Sequence, residues 1–221
     1  GTAVSLNGDY AVVGAWGNND KGSETGSAYI FVRTGTTWSQ QQKILATDVA
    51  AGDRFGYAVS INGAGVLVTS YYDDAKGANS GSAYIFARSG TSWSQQKKLT
   101  ASDGQTNDYF GISASLYGGT ALVGAHGEDQ RGSGSGAAYV FTGSGANWSQ
   151  QRKLTATNGG ASDEFGIAVS LADNLALVGA HLEDSRTSNA GAAYIFERSG
   201  VNWTQTKLLT ATDGNSGDRF G

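Results

Sequence analysis

Acidic side chains in this sequence fall into series with one fixed spacing. Asp73-Asp74, Glu128-Asp129 and Glu183-Asp184 stand 55 residues apart, and Asn18-Asn19 holds the same place one interval earlier. A basic residue follows each pair, at Lys21, Lys76, Arg131 and Arg186. A second series keeps the interval: Asp48 and Asp53, Asp103 and Asp108, Asn158 and Asp163, Asp213 and Asp218. Converging carboxylates of this kind suit Ca2+, which takes roughly six to eight oxygen ligands. The metal candidates are therefore Asp73, Asp74, Asp103, Asp108, Glu128, Asp129, Asp163, Glu183, Asp184, Asp213 and Asp218. The plainer alternative is turn chemistry: each Asp accepts a nearby backbone N–H, and each acid pairs with its basic neighbour.

One further repeated position holds Trp16, Tyr71, His126 and His181. Aromatic and imidazole groups above a polar floor suit a glycan, with rings against the apolar sugar face and Asp or Asn against hydroxyls. The alternative is packing between neighbouring units. A catalytic reading fares worse, because the two histidines are equivalent by position and neither has a distinct role. The stretch Gly132 to Gly136 leads into a strand, so it lacks the helix N-terminus that cradles phosphate. Turns such as Ser89-Gly90-Thr91-Ser92-Trp93 resemble the tail of the sialidase Asp-box, but Arg33, Arg88, Gly143 and Arg198 replace its Asp. Acids in every unit leave glycoside hydrolysis as the least favoured reading. Asn147 and Asn202 open glycosylation sequons, at the same turn in two units.

The elements that position these groups are themselves repeated. Gly1, Gly56, Gly111, Gly166 and Gly221 mark the 55-residue interval, and Tyr29, Trp38 and Phe55 recur with it. Units 1–55, 56–110, 111–165 and 166–220 predict one domain over 1–221. The clearest unit reads as four strands: 56–61, 65–70, 82–87 and 93–99. Asn62-Gly63 and Ser89-Gly90 supply tight turns. The first strand is rich in small residues, as crowding near an axis requires. The third is apolar on both faces, and the fourth is polar with lysines that guard an outer edge. That gradient predicts an all-β fold, a β-propeller with four-stranded antiparallel blades.

Composition bounds the remainder. With 34 glycines and no proline, cysteine or methionine, the chain is turn-rich and free of thiol chemistry. The missing methionine predicts a processed product or a segment of a longer chain. A net charge of −4 without a basic block argues against nucleic acid. No apolar run approaches the roughly 20 residues that span a bilayer.

The pattern Phe-Gly, an apolar strand, Val-Gly-Ala (Val13 to Ala15, Val123 to Ala125, Val178 to Ala180) and Gly-x-Ala-Tyr-x-Phe (Gly81 to Phe86) resembles the FG-GAP repeat. The resemblance covers all four units and implies a propeller like that of integrin α-subunits. It departs where Thr69-Ser70 replaces Gly-Ala, and where proline is missing. The family's Asp-x-Asp-x-Asp-Gly calcium loop is reduced to Asn7-Gly8-Asp9, with Asn62-Gly63-Ala64, Tyr117-Gly118-Gly119 and Ala172-Asp173-Asn174 at the matching turns. The resemblance therefore implies a non-catalytic, extracellular or cell-surface protein for adhesion, recognition or structural assembly. Its loop face would take a protein or glycan ligand, with a carbohydrate-binding lectin as the alternative. Self-association into a larger ring or a fibre is a further expectation, as is ring closure by Phe220 beside the first strand.

Overall fold

A computed structural model describes residues 1–221, which form sixteen strands and no helix. The first sheet comprises β1 (Val4–Asn7), β2 (Tyr10–Ala15), β3 (Ser27–Thr34) and β4 (Thr37–Ile44). The second holds β5 (Val59–Asn62), β6 (Gly65–Ser70), β7 (Ser82–Ser89) and β8 (Ser92–Leu99). The third is β9 (Ala114–Tyr117), β10 (Thr120–Ala125), β11 (Ala137–Ser144) and β12 (Asn147–Leu154). The fourth is β13 (Ala168–Ala172), β14 (Leu175–Ala180), β15 (Ala192–Ser199) and β16 (Asn202–Leu209). Every sheet is an antiparallel meander in sequence order. These are propeller blades.

The blades stack through their broad faces. β1, β5, β9 and β13 pack against one another in that order, which makes them the innermost strands. β7 shows why its sequence is apolar on both sides. Tyr84 and Phe86 face the core shared with the first blade, whereas Ala83 and Ile85 face the core shared with the third. A third apolar core joins blades three and four, but none joins blade four to blade one.

The Phe-Gly pairs hold neighbouring blades together. The Phe55 N–H donates to the Thr25 carbonyl at 2.9 Å, tying the end of unit one to its own blade. Its ring then lies edge-on to Tyr84 (5.6 Å) and Phe86 (6.0 Å) of the next blade. Phe110 repeats this with Tyr139 and Phe141, and Phe165 with Tyr194 and Phe196. Close approach explains the glycine opposite. A Cβ on Gly81, whose φ is +83°, would lie 1.9 Å from the Phe110 carbonyl oxygen. Phe220 lies instead against Gly191 of its own blade, not beside β1.

Strand boundaries differ from the sequence reading: in blade two the strands run 59–62, 65–70, 82–89 and 92–99. The inner strand of blade two begins at Val59, three residues after Gly56. Gly56 adopts a φ of +94°, and the N–H groups of both Gly56 and Tyr57 turn onto the Thr69 carbonyl. The chain therefore enters the blade through a bend before pairing starts.

Candidate functional site

The loop after each second strand and the loop entering the next blade lie side by side. Their contact is made by backbone groups: Arg54 N–H donates to the Glu24 carbonyl at 3.0 Å, and Tyr109 N–H to the Asn79 carbonyl at 3.1 Å. Glu164 and Arg219 do the same with Gly134 and Asn189. Arg54, Tyr109, Glu164 and Arg219 all have φ between 55° and 57°. Non-glycine residues in that left-handed region are strained, and such strain collects where side-chain placement matters.

Turn chemistry accounts for most of the acidic series. Asp74, Asp129 and Asp184 accept the N–H of Asn79, Gly134 and Asn189 through Oδ1. Asp53, Asp108, Asp163 and Asp218 accept the N–H three residues before them, at 2.7–2.8 Å. Asp73 and Glu128 are buried. They pair with lysines of the fourth strand rather than with the basic residues that follow them in sequence. Lys98 Nζ bridges Asp48 (2.7 Å) and Asp73 (2.9 Å), and Lys153 Nζ bridges Asp103 (2.7 Å) and Glu128 (2.7 Å). Lys43 holds Asp20 in blade one. Arg131 and Arg186, expected to neutralise their neighbours, reach over instead to oxygens of the next loop at Thr155, Thr157, Thr212 and Gly214. Their length carries them past the adjacent carboxylates. Blade four departs: Leu208 replaces the lysine and Asn158 the aspartate, so Glu183 accepts from Asn158 Nδ2 (3.0 Å) and Ser185 Oγ (2.8 Å). Asp213 lies on the exposed final loop.

This donor set does not fit calcium. An ammonium group already stands between the carboxylates in blades two and three. No three carboxylate or imidazole groups converge as metal ligands. Ca2+ needs more oxygens than such two-carboxylate sites offer.

Burial leaves one acid strongly perturbed. Desolvation is the main cause that lifts Asp53 to about 6; the Ala50 N–H opposes it and the charge of Asp73 reinforces it. A carboxyl raised above its unfolded value near 3.8 makes the folded state bind the extra proton. Its contribution to stability is therefore full below about pH 4 and fades as pH rises through about 6. Asp53→Asn keeps an acceptor for the Ala50 N–H and removes the charge. Thermal melts should show the variant gaining about 2 kcal/mol over the parent between pH 4 and pH 8. A difference that does not change with pH would refute this.

The aromatic position forms a continuous rim. Arg54 lies 4.8 Å from the Trp16 ring and 4.5 Å from Tyr72, and its Nη1 donates to Tyr71 Oη at 3.0 Å. Tyr71 packs against Tyr57 (4.1 Å) and Tyr72 (4.2 Å). Burial pushes its hydroxyl up to about 12. Tyr109 stacks on His126 at 5.1 Å with planes 16° apart. Burial lowers the pKa of His126. Glu164 Oε2 sits 3.3 Å from His181 Nε2. So Tyr71, His126 and His181 each meet a side chain of the preceding unit, whereas Trp16 meets Arg54 of its own, and most of the rim remains half-exposed. Sequence reading missed Arg54, Tyr109 and Glu164, which interleave with them. The available signal was one variable column, Arg54, Tyr109, Glu164 and Arg219, immediately before the invariant Phe-Gly.

A polar cleft of ≈ 250 Å³ opens beside this rim, lined by Glu24, Asp53, Arg54, Tyr72, Asp74 and Asn79. Asn147 and Asn202 lie elsewhere, exposed at the first residues of β12 and β16. No helix is long and apolar enough to cross a membrane.

Sixteen strands in four stacked antiparallel blades, locked by buried phenylalanines, define a protein of the β-propeller type. The family model described as the FG-GAP repeat matches residues 1–31, 38–86, 93–141 and 148–196, and the chain belongs to that family. FG-GAP repeats are typical of non-enzymatic propellers in extracellular or surface proteins. No curated protein matches the chain. Among solved structures it resembles Sqt1 of Saccharomyces cerevisiae, with a TM-score of 0.52 and 10% identity. The alignment covers 95% of this chain and 47% of that one, so the chain spans about half the length of Sqt1. At that identity the likeness is one of fold alone.

Proposed function

We propose that this protein is a non-catalytic recognition module, extracellular or displayed at a cell surface, that binds carbohydrate at the cleft between blades one and two. The observation that carries the reading is the composition of that cleft. Tyr72 offers a half-exposed ring with the Arg54 guanidinium lying over it, and Asp74 and Asn79 polar groups at the same opening. Aromatic face plus hydrogen-bonding edge is the pairing that a sugar ring demands. The acids argue against hydrolysis here. Asp53 has the raised proton affinity of a general acid, but it caps a backbone turn repeated identically at Asp108, Asp163 and Asp218. A role shared by all four units is one of construction.

Trp16 lies against Arg54 and supplies an intrinsic reporter. Titration of neutral and acidic oligosaccharides, followed by tryptophan fluorescence and calorimetry, should give saturable binding. Tyr72→Ala should weaken it at least about tenfold, because stacking area and orientation are both lost. Binding unchanged in that variant would move the site elsewhere. No binding across the panel would remove carbohydrate as the ligand class.

A further inference from the structure

Side-chain rungs join the outer strands of neighbouring blades, and one rung is missing between blades three and four. At the junction of blades one and two, Gln41 Oε1 accepts the Trp93 ring N–H at 2.9 Å, and Gln95 Oε1 accepts the Thr47 N–H at 2.9 Å. Beside them Gln42 satisfies both outward groups of the Trp93 backbone. Its Oε1 accepts the N–H at 2.7 Å, and its Nε2 donates to the carbonyl at 2.8 Å. The junction of blades three and four repeats the flanking rungs, with Gln151 on the Trp203 ring N–H (3.0 Å) and Gln205 on the Thr157 N–H (2.9 Å). Arg152 stands where Gln42 stands, and a guanidinium carries donors but no acceptor. Trp203 lies opposite Arg198 as Trp93 lies opposite Arg88, so its N–H leaves the sheet edge in the same direction. The acceptor that Gln42 supplies has no counterpart there.

We infer that this outer groove binds an oxyanion, a carboxylate, sulfate or phosphate group, between the Arg152 guanidinium and the Trp203 N–H. A cleft of ≈ 240 Å³ opens at the gap, with Arg152, Lys153, Thr155, Thr157, Thr204 and Gln205 in its wall. No carboxylate lines it. Lys153 is neutralised by Asp103 and Glu128, whereas Arg152 is exposed and engages no acid. Arg131 adds a second cation without an acid partner, since it donates to Thr155 Oγ1 and the Thr157 carbonyl in the same wall. An N–H without an acceptor beside a free guanidinium is the pair that an anionic oxygen completes. Guanidinium N–H groups bind such oxygens through short, charge-assisted bonds, often two at once.

The junction of blades two and three lacks the full arrangement. Lys97 holds the equivalent position there, but the Trp148 ring N–H is buried without a partner, so that indole is not clamped as Trp203 is. The site between blades three and four lies on the outer strands and is independent of the ligand assigned to the rim.

Titration with sodium acetate, sulfate or phosphate at constant ionic strength, followed by amide NMR, should move the Trp203 backbone N–H resonance saturably. A dissociation constant of about 10 mM or tighter is expected for at least one of the three. The salt that saturates at the lowest concentration separates a planar carboxylate from a tetrahedral sulfate or phosphate. Arg152→Gln recreates the rung seen at Gln42, so the fold should persist while binding weakens at least about tenfold. Lys207→Gln removes an exposed charge from the equivalent position of blade four and should leave binding unchanged. The inference is overturned if no salt gives a saturable shift, if the shift persists undiminished in Arg152→Gln, or if Lys207→Gln weakens binding equally.

Discussion

Phe110→Ala should destabilise the protein by about 3–5 kcal/mol, the range for deleting a fully buried aromatic side chain. The Phe110 ring lies edge-on to Tyr139 at 5.6 Å and Phe141 at 5.8 Å, and it is completely buried. The void would open between blades two and three, with Gly81 pressed against the local backbone and unable to close it. The same change at Phe220 is the control. That ring is 38% exposed, and in an isolated chain its loss should shift the denaturation midpoint far less. Equal losses at the two positions, read from urea unfolding, would show that the phenylalanine does not act by bridging blades.

Lys98→Met should cost about 2–4 kcal/mol, because it leaves the buried Asp73 carboxylate without its cation. Burial alone would raise the pKa of Asp73, but bonds from Lys98, Ser82 and Tyr84 outweigh it and hold the pKa below the ordinary value. Burial likewise opposes the charge on Lys98, and its bonds to Asp48 and Asp73 raise its pKa overall. A depressed carboxyl contributes stability above its unfolded pKa, lost as pH falls through the lower folded value. A raised lysine contributes below its unfolded pKa, lost as pH climbs through the folded one. The pair is thus intact from about pH 4 to about pH 10, and the variant should lose less than the parent on acidification. Adding Asp73→Asn should restore most of the loss, since the amide oxygen can still accept from the Ser82 hydroxyl and the Ala75 N–H, and the amide NH2 can donate to the Tyr84 hydroxyl oxygen. No recovery in that double variant, measured by thermal melts, would assign the lysine a packing role instead.

Blade four carries the same logic in its own sequence. Where Leu208 removes the lysine, Asn158 removes one of the two acids it would have held. Glu183 is left with an amide and a hydroxyl, and the buried Tyr194 hydroxyl has no partner.

The blades were legible because strand periodicity, tight turns and an unbroken interval all specify the same four-stranded unit. Tyr84 and Phe86 opposite Ala83 and Ile85 already implied a strand covered on both faces. The acids were legible only by type. An Asp that caps its own loop and an Asp that meets a distant lysine look alike in sequence. The side-chain reach that links Lys98 to Asp48 exists only after the blades stack. Thr69 shows a similar limit. Where Gly14, Gly124 and Gly179 leave no room for a Cβ against the following unit, Thr69 fits, with its hydroxyl accepting the Ala58 N–H at 3.0 Å.

The interleaved column at the rim has one more consequence. The left-handed backbone at Arg54, Tyr109, Glu164 and Arg219 makes the same main-chain bond in every unit although the residue differs, and at Arg54 a side-chain bond to Glu24 at 2.7 Å is added. The scaffold works as a row of four interchangeable sockets. Across the four units that socket carries a cation, a phenol or an acid while the surrounding architecture stays the same.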